Sequence, residues 1–145
     1  MTTFTQAQGT KSASVLNLGT LASATFVASS AIDLGASIPL DVTFEVECTP
    51  SASPTGNKQL IVMAQLSLDG TTFTSGPTSG TTATNEPDLH WIGTIVCNDN
   101  TLHRKMFSLQ GLPTTRYLKL VVKNDMGVNL TSGNIYRADI TGVST

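Results

Sequence analysis

Few side chains in this sequence have the types and spacing that enzymatic chemistry requires. The chain contains two histidines, His90 and His103, and neither belongs to an HExxH motif. There is no GxSxG nucleophile motif and no glycine-rich phosphate loop ahead of a helix. Each histidine opens a predicted strand, where a surface role is expected. We therefore expect no enzymatic activity, and we assign no catalytic, cofactor-binding or metal-ligating residue and no cofactor.

The acidic and thiol side chains also lack a recognisable site pattern. Asp99 lies between Asn98 and Asn100, which predicts a turn in which Asx side chains hydrogen-bond to their own backbone. A calcium site at that turn is the weaker alternative. Cys48 and Cys97 form no CxxC pair and are too few for a disulfide framework. We expect buried, reduced thiols, and a Cys48–Cys97 disulfide is the alternative.

Aromatic side chains could instead provide a surface for a sugar ring. Trp91 has the same strand parity as Ile95 and Cys97, which predicts that its ring is buried. Tyr117 and Tyr136 are better candidates for the surface. Two tyrosines alone do not make a binding platform.

Composition restricts the possible partners. Charged residues make up 12% of the 145 residues and the net charge is −2, so the chain has no basic patch for phosphates or anionic lipids. We expect neither nucleic acid nor membrane as a partner. Residues 11–33 contain no charge after Lys11 and before Asp33, but many Ser, Thr and Asn residues interrupt the segment, and the first ten residues have no basic region. We therefore expect no membrane span and no secretion signal.

The hydrophobic pattern has a period of two and predicts an all-β fold. In residues 41–48, Val42, Phe44, Val46 and Cys48 alternate with polar residues, as in a half-buried antiparallel strand. In residues 58–67, the run from Leu60 to Met63 is apolar on both faces and predicts a central strand. Extended segments are expected at residues 12–18, 25–27, 41–48, 58–67, 89–97, 103–110, 116–125 and 132–141. Eight to nine strands with frequent turns favour an antiparallel two-sheet β-sandwich of jelly-roll type.

Turn and loop residues complete the predicted organisation. Asp69 and Gly70 between extended flanks predict a type I′ hairpin, and residues 75–87 predict a long exposed loop. The stretch 1–10, MTTFTQAQGT, lacks core patterning and is a possible N-terminal arm that orders on a neighbouring subunit; a frayed terminus is the alternative. Residues 11–145 are expected to form a single β-sandwich domain.

Two segments resemble a known group of sandwiches. QLSLDGTTF (65–73) and RYLKLVVKN (116–124) are similar to the paired strands of galactose-binding, discoidin-like jelly rolls. The matching residues are ones that form the strands of the sandwich and do not bind a ligand. The disulfide framing and binding-loop aromatics of that group have no counterpart here, so it implies the sandwich and not the ligand.

A broader resemblance covers most of the chain. Residues 7–35, 42–47, 76–89 and 121–142, rich in Thr, Ser and Gly, resemble small virion structural proteins of tailed bacteriophages. The resemblance implies a capsid decoration, or cement, protein that binds the outer head shell and stabilises it. The implied partners are the major capsid protein and further copies of the chain, and the implied location is the virion, assembled in the host cytoplasm. The alternative is a carbohydrate-binding or receptor-recognition module on the tail or fibre.

Overall fold

The structure is a computed structural model that describes residues 2–144, and it consists of two antiparallel β-sheets packed face to face. It confirms the predicted antiparallel two-sheet β-sandwich. The described residues form eleven strands rather than eight or nine; the additional ones are Phe4–Gln8 and the two-residue strands Ile32–Asp33 and Ser79–Gly80. The strands are β1 (Phe4–Gln8), β2 (Leu16–Asn17), β3 (Phe26–Ala28), β4 (Ile32–Asp33), β5 (Asp41–Pro50), β6 (Gln59–Ser67), β7 (Ser79–Gly80), β8 (His90–Val96), β9 (His103–Ser108), β10 (Tyr117–Asp125) and β11 (Leu130–Ser144).

The strands divide between the sheets in a regular order. The first sheet runs β1-β11-β5-β9, with β2 also paired to β11. The second sheet runs β7-β3-β10-β6-β8, with β4 also paired to β10. Within residues 2–144 the only helical element is the 3₁₀ turn Glu86–Asp88, and no helix there is long and apolar enough to cross a bilayer.

The core lies between the sheets and follows the predicted alternation. Val42, Phe44, Val46 and Cys48 on β5 are buried, and the residues between them are only half-buried. β6 lies between β10 and β8 and is buried on both faces from Val62 to Ser67. The prediction of a central strand is therefore correct.

The second sheet has a small additional core on its outer face. Phe26, Met63, Leu89 and Val121 pack together there, away from the main core. The chain from residue 68 to residue 89 folds back over this face, because the Gln65 side chain donates hydrogen bonds to the carbonyls of Thr74 (2.8 Å) and Gly76 (3.3 Å). The predicted loop at residues 75–87 is mostly exposed, and it is held by Gln65 at Gly76 and by Lys123 at Glu86.

The predicted type I′ hairpin at Asp69–Gly70 is wrong. Gly70 has a positive φ of 77° but Asp69 does not, and the residues directly after the turn form no strand. The Asp69 carboxylate instead accepts hydrogen bonds from the Thr71 and Thr72 N–H groups, which holds a wider turn. These hydrogen bonds lower the pKa of Asp69 well below its usual value.

Candidate interaction surfaces

The residues first considered for catalysis occupy ordinary strand and turn positions. His90 and His103 begin β8 and β9 and are half-buried. Asp99 accepts the Thr101 N–H at 2.9 Å, and the hydrogen bonds from Thr101 lower its pKa. Between residues 2 and 144, no group of three or more His, Cys, Asp or Glu side chains could hold a metal ion.

The first surface of interest is the ribbon formed by β1 and the end of β11. Residues 4–8 pair with Ser144–Ile140 of the same chain, whereas the pairing of β11 with β5 ends at Ile140–Asp41. Residues 141–144 therefore have a sheet neighbour on one side only. Every residue of β1 is exposed, as are residues 141–144. The ribbon thus extends beyond the sandwich as two strands.

This ribbon contains residues 4–8, half of the predicted N-terminal arm. Met1, the first residue of that arm, lies outside the described residues. Residues 4–8 lie on their own chain, and their outer edge pairs with no described strand. The Gly9 N–H donates to the Asp139 carbonyl at 2.8 Å, on the β11 side. Because the N–H groups of successive strand residues point to opposite sides, those of Gln6 and Gln8 point to the open edge.

The side chains of the ribbon are uncharged and partly apolar. Residues 1–10 and 140–145 contain no charged side chain. Phe4 is 65% exposed, and Val143 at the same end of the ribbon is also exposed. An exposed, neutral strand edge is able to pair with another chain.

The other sheet edges are protected in different ways. β9 carries Arg104 and Lys105, and charges on an edge strand oppose pairing. β7 is two residues long. β8 has a bulge at Ile92, where the pairing skips from Trp91–Met63 to Gly93–Val62. Among the described edges, β1 combines length, neutrality and regular pairing.

The second surface centres on Trp91, whose predicted burial is wrong. The ring is 62% exposed. The bulge at Ile92 shifts the parity of β8, so that Ile95 and Cys97 face the core while Trp91 pairs with Met63 on the outer face. Gly93 faces inward opposite Phe107, and a Cβ there would lie 2.1 Å from that ring. Close packing between the sheets thus requires the glycine next to the bulge.

Trp91 lines an open groove together with polar side chains. The groove also contains Gln59, Glu86, Leu89 and Thr94. Both Glu86 carboxylate oxygens accept hydrogen bonds from Lys123 Nζ at 2.9 Å. The groove therefore combines one exposed indole ring with an amide, a hydroxyl and a fixed carboxylate.

The two tyrosines proposed for the surface are already occupied by their own chain. Lys11 Nζ lies 3.9 Å from the centre of the Tyr136 ring, and the Tyr136 hydroxyl donates to Glu47 at 3.0 Å. That hydrogen bond raises the pKa of Tyr136. The Arg116 guanidinium lies 5.0 Å from the centre of the Tyr117 ring, and a Cβ on Gly70 would lie 3.1 Å from that ring. Neither tyrosine offers the open ring that Trp91 offers.

A cleft of about 260 Å³ lies at one end of the sandwich. Its walls are mainly apolar and include Leu34, Leu66 and Leu112. Its carboxylate, Asp41, already accepts hydrogen bonds from the Ser108 hydroxyl at 2.6 Å and the Leu109 N–H at 3.2 Å. In contrast to the Trp91 groove, the cleft has no aromatic ring among its described lining residues.

No protein-family model matches the chain, and no curated protein matches it.

Proposed function

We propose that this chain is a virion structural protein of a tailed bacteriophage, a decoration protein that binds the outer head shell and stabilises it. The observation that carries the proposal is the open, uncharged edge of β1. It supports a function based on repeated protein contacts. The resemblance of the sequence to small virion structural proteins is the second argument for the proposal.

The ribbon suits a contact that forms on assembly. Two strands without further neighbours are only marginally stable in water, so a third strand or a flat surface from a capsid subunit would order residues 4–8 and 141–144 further. Backbone hydrogen bonds supply the affinity in such strand addition. The absence of charge in the ribbon removes repulsion between copies placed side by side on a lattice.

Stabilisation of a shell follows from bridging. A decoration protein that contacts two capsid subunits must be released from one of them before the two can separate. A single ribbon contact is much smaller than the roughly 1,600 Å² of a standard interface. Several such contacts made by one bound copy or oligomer act together through their high effective concentration.

The experiment measures binding of the purified protein to mature capsids that lack it. We expect a fixed copy number set by the lattice symmetry, a higher temperature of DNA release, and little loss of binding with added salt, because the contact involves few charges. Failure of the wild-type protein to bind heads would refute the proposal.

A matched pair of variants tests the ribbon itself. Gln6→Lys places a charge on the open edge and should weaken capsid binding at least about tenfold. Gln110→Lys makes the same change at an exposed residue after β9 and should leave binding unchanged. If both variants bind capsids equally well, the protein still binds the head shell, but the β1 edge is excluded as the contact.

A carbohydrate-binding role on the tail or fibre is the second candidate, and the exposure of Trp91 favours it. An indole ring can pack against the apolar face of a sugar while Gln59 and Glu86 contact its hydroxyl groups. Because Trp91 is the only tryptophan, its fluorescence reports directly on that groove. Titration with host-surface polysaccharide should change the emission if this candidate holds. Trp91→Ala should then abolish retention on the polysaccharide, whereas Leu68→Ala, at an 88% exposed side chain, should not.

A further inference from the structure

The two cysteines of the chain meet across the sandwich. Cys48 lies on β5 in the first sheet, and Cys97 directly follows β8 in the second sheet. Their sulfur atoms are 3.8 Å apart, and both residues are fully buried. Both are free thiols in this structure, and the predicted burial of the two side chains is confirmed.

We propose that Cys48 and Cys97 are the site of an intramolecular disulfide that links the two sheets under oxidising conditions. The sulfurs must approach from 3.8 Å to the ~2.0 Å of an S–S bond. Rotation of two side chains that already face each other can supply most of that movement. The site does not depend on the proposed virion role.

The surroundings of the pair assign different roles to the two sulfurs. When Cys97 is ionised, the Cys48 thiol donates a hydrogen bond to it. This hydrogen bond lowers the pKa of Cys97 and raises that of Cys48, and burial raises the pKa of Cys48 further. Cys97 also precedes an exposed turn, residues 98–102, which provides the shorter route for a small oxidant. Because Cys97 borders this exposed turn and Cys48 lies within β5, we assign Cys97 as the attacking thiol and Cys48 as the resolving thiol.

With hydrogen peroxide as oxidant, the reaction has two balanced steps. The Cys97 thiolate attacks a peroxide oxygen, so that an S–O bond forms, the O–O bond breaks, and the leaving hydroxide takes up a proton as water. The Cys48 sulfur then attacks the sulfenic sulfur. The S–S bond forms, the S–O bond breaks, and the hydroxyl leaves as a second water with the Cys48 proton. The two thiols lose two electrons and two protons, and the peroxide is reduced to two waters.

The bond would restrain the unfolded chain strongly. It would close a loop with a sequence separation of 49 residues that contains β6, β7 and β8. A cross-link over a loop of this length should raise the melting temperature by roughly 10 °C. Reduction should reverse the rise.

The test treats the folded, fully reduced protein with hydrogen peroxide. We expect a loss of about 2 Da in intact mass, a peptide in which Cys48 is linked to Cys97, and a higher melting temperature that dithiothreitol reverses. An unchanged mass in the folded state, under conditions that oxidise the urea-unfolded chain, would overturn the proposal. Disulfide-linked dimers in place of the monomeric product would also overturn it.

Single substitutions test the assigned roles. Cys48→Ser should stop at a sulfenic acid on Cys97, a gain of about 16 Da that dimedone traps. Cys97→Ser should react much more slowly, because Cys48 lies within β5 and has no exposed turn beside it to admit the oxidant. The reverse order of reactivity would overturn the assignment of attacking thiol. If either variant fails to fold, the wild-type mass and peptide map still decide whether the disulfide forms.

Discussion

Replacement of Asn124 by leucine should destabilise the sandwich more than most polar substitutions. Asn124 lies on β10 and is fully buried. Its amide nitrogen donates to the carbonyls of Leu21 (3.0 Å) and Val128 (2.8 Å), and its amide oxygen accepts the Met126 N–H at 3.1 Å. One side chain therefore joins the β10–β11 turn to the segment ahead of β3.

The size of the effect follows from the groups that lose a partner. The Leu21 carbonyl also accepts the Leu130 N–H at 3.0 Å, so its loss should be small. The Val128 carbonyl and the Met126 N–H lose the Asn124 bond without such a second bond in this arrangement. The Met126 N–H is buried and the Val128 carbonyl is part-buried, so at ~1–3 kcal/mol for a buried unsatisfied group, Asn124→Leu should cost roughly 3 kcal/mol. This is a large part of the ~5–15 kcal/mol that stabilises a domain.

Urea unfolding, followed by Trp91 fluorescence and circular dichroism, measures the change. Asn57→Leu is the matched control, because Asn57 is exposed and its amide bonds only to Asp125, at 2.8 Å. We expect the control to change the free energy of unfolding by less than about 1 kcal/mol. A loss for Asn124→Leu no greater than that of the control would refute the reasoning.

Two further predictions concern the core and the response to acid. Val46→Asp should unfold the domain, because Val46 is fully buried on β5 and an unpaired buried charge costs several kcal/mol. The control Thr43→Asp, on the opposite face of β5, should remain folded when measured by circular dichroism. Equal behaviour of the two variants would contradict the assigned faces. The Arg116 side chain, hydrogen-bonded to Asp33, lowers the pKa of Asp33 from 3.8 to about 2. Since the folded pKa lies below the unfolded value, this pair contributes stability above about pH 4 and loses it as the pH falls towards 2. Asp33→Asn should therefore flatten the dependence of melting temperature on pH in that window. The same change at exposed Asp88 should not flatten it. Identical pH profiles for the two variants would contradict the role assigned to the Asp33–Arg116 pair.

Local alternation was sufficient to predict the central strands. In β5 every second residue is apolar, and only one register places Val42, Phe44, Val46 and Cys48 in the core. β6 is apolar on both faces because the main core covers one face and the chain from residue 68 to residue 89 covers the other. Both patterns act within one strand, so the sequence alone contains them.

The exposure of Trp91 could not be predicted in the same way. Parity counts fail when a strand contains an unpaired residue, and the bulge at Ile92 depends on how β8 pairs with β6. The nearby Gly93 was a usable signal, because an isolated glycine in a strand often marks a bulge or a close approach. The role of Asn124 was also not predictable, since its partners are backbone groups of two separate loops.

The open edge of β1 shows why an interaction surface is harder to predict than a core. The first ten residues have no core pattern because neither face of β1 is covered, so a sequence reading cannot distinguish a terminal strand from an unattached arm. What makes β1 notable is its place at the end of the strand order, next to the last strand of the chain. Edges are normally protected by charge, bulges or short length, and β9, β8 and β7 each have one of these features. The contrast among the four edges, which exists only in the folded chain, is the reason for expecting a partner at β1.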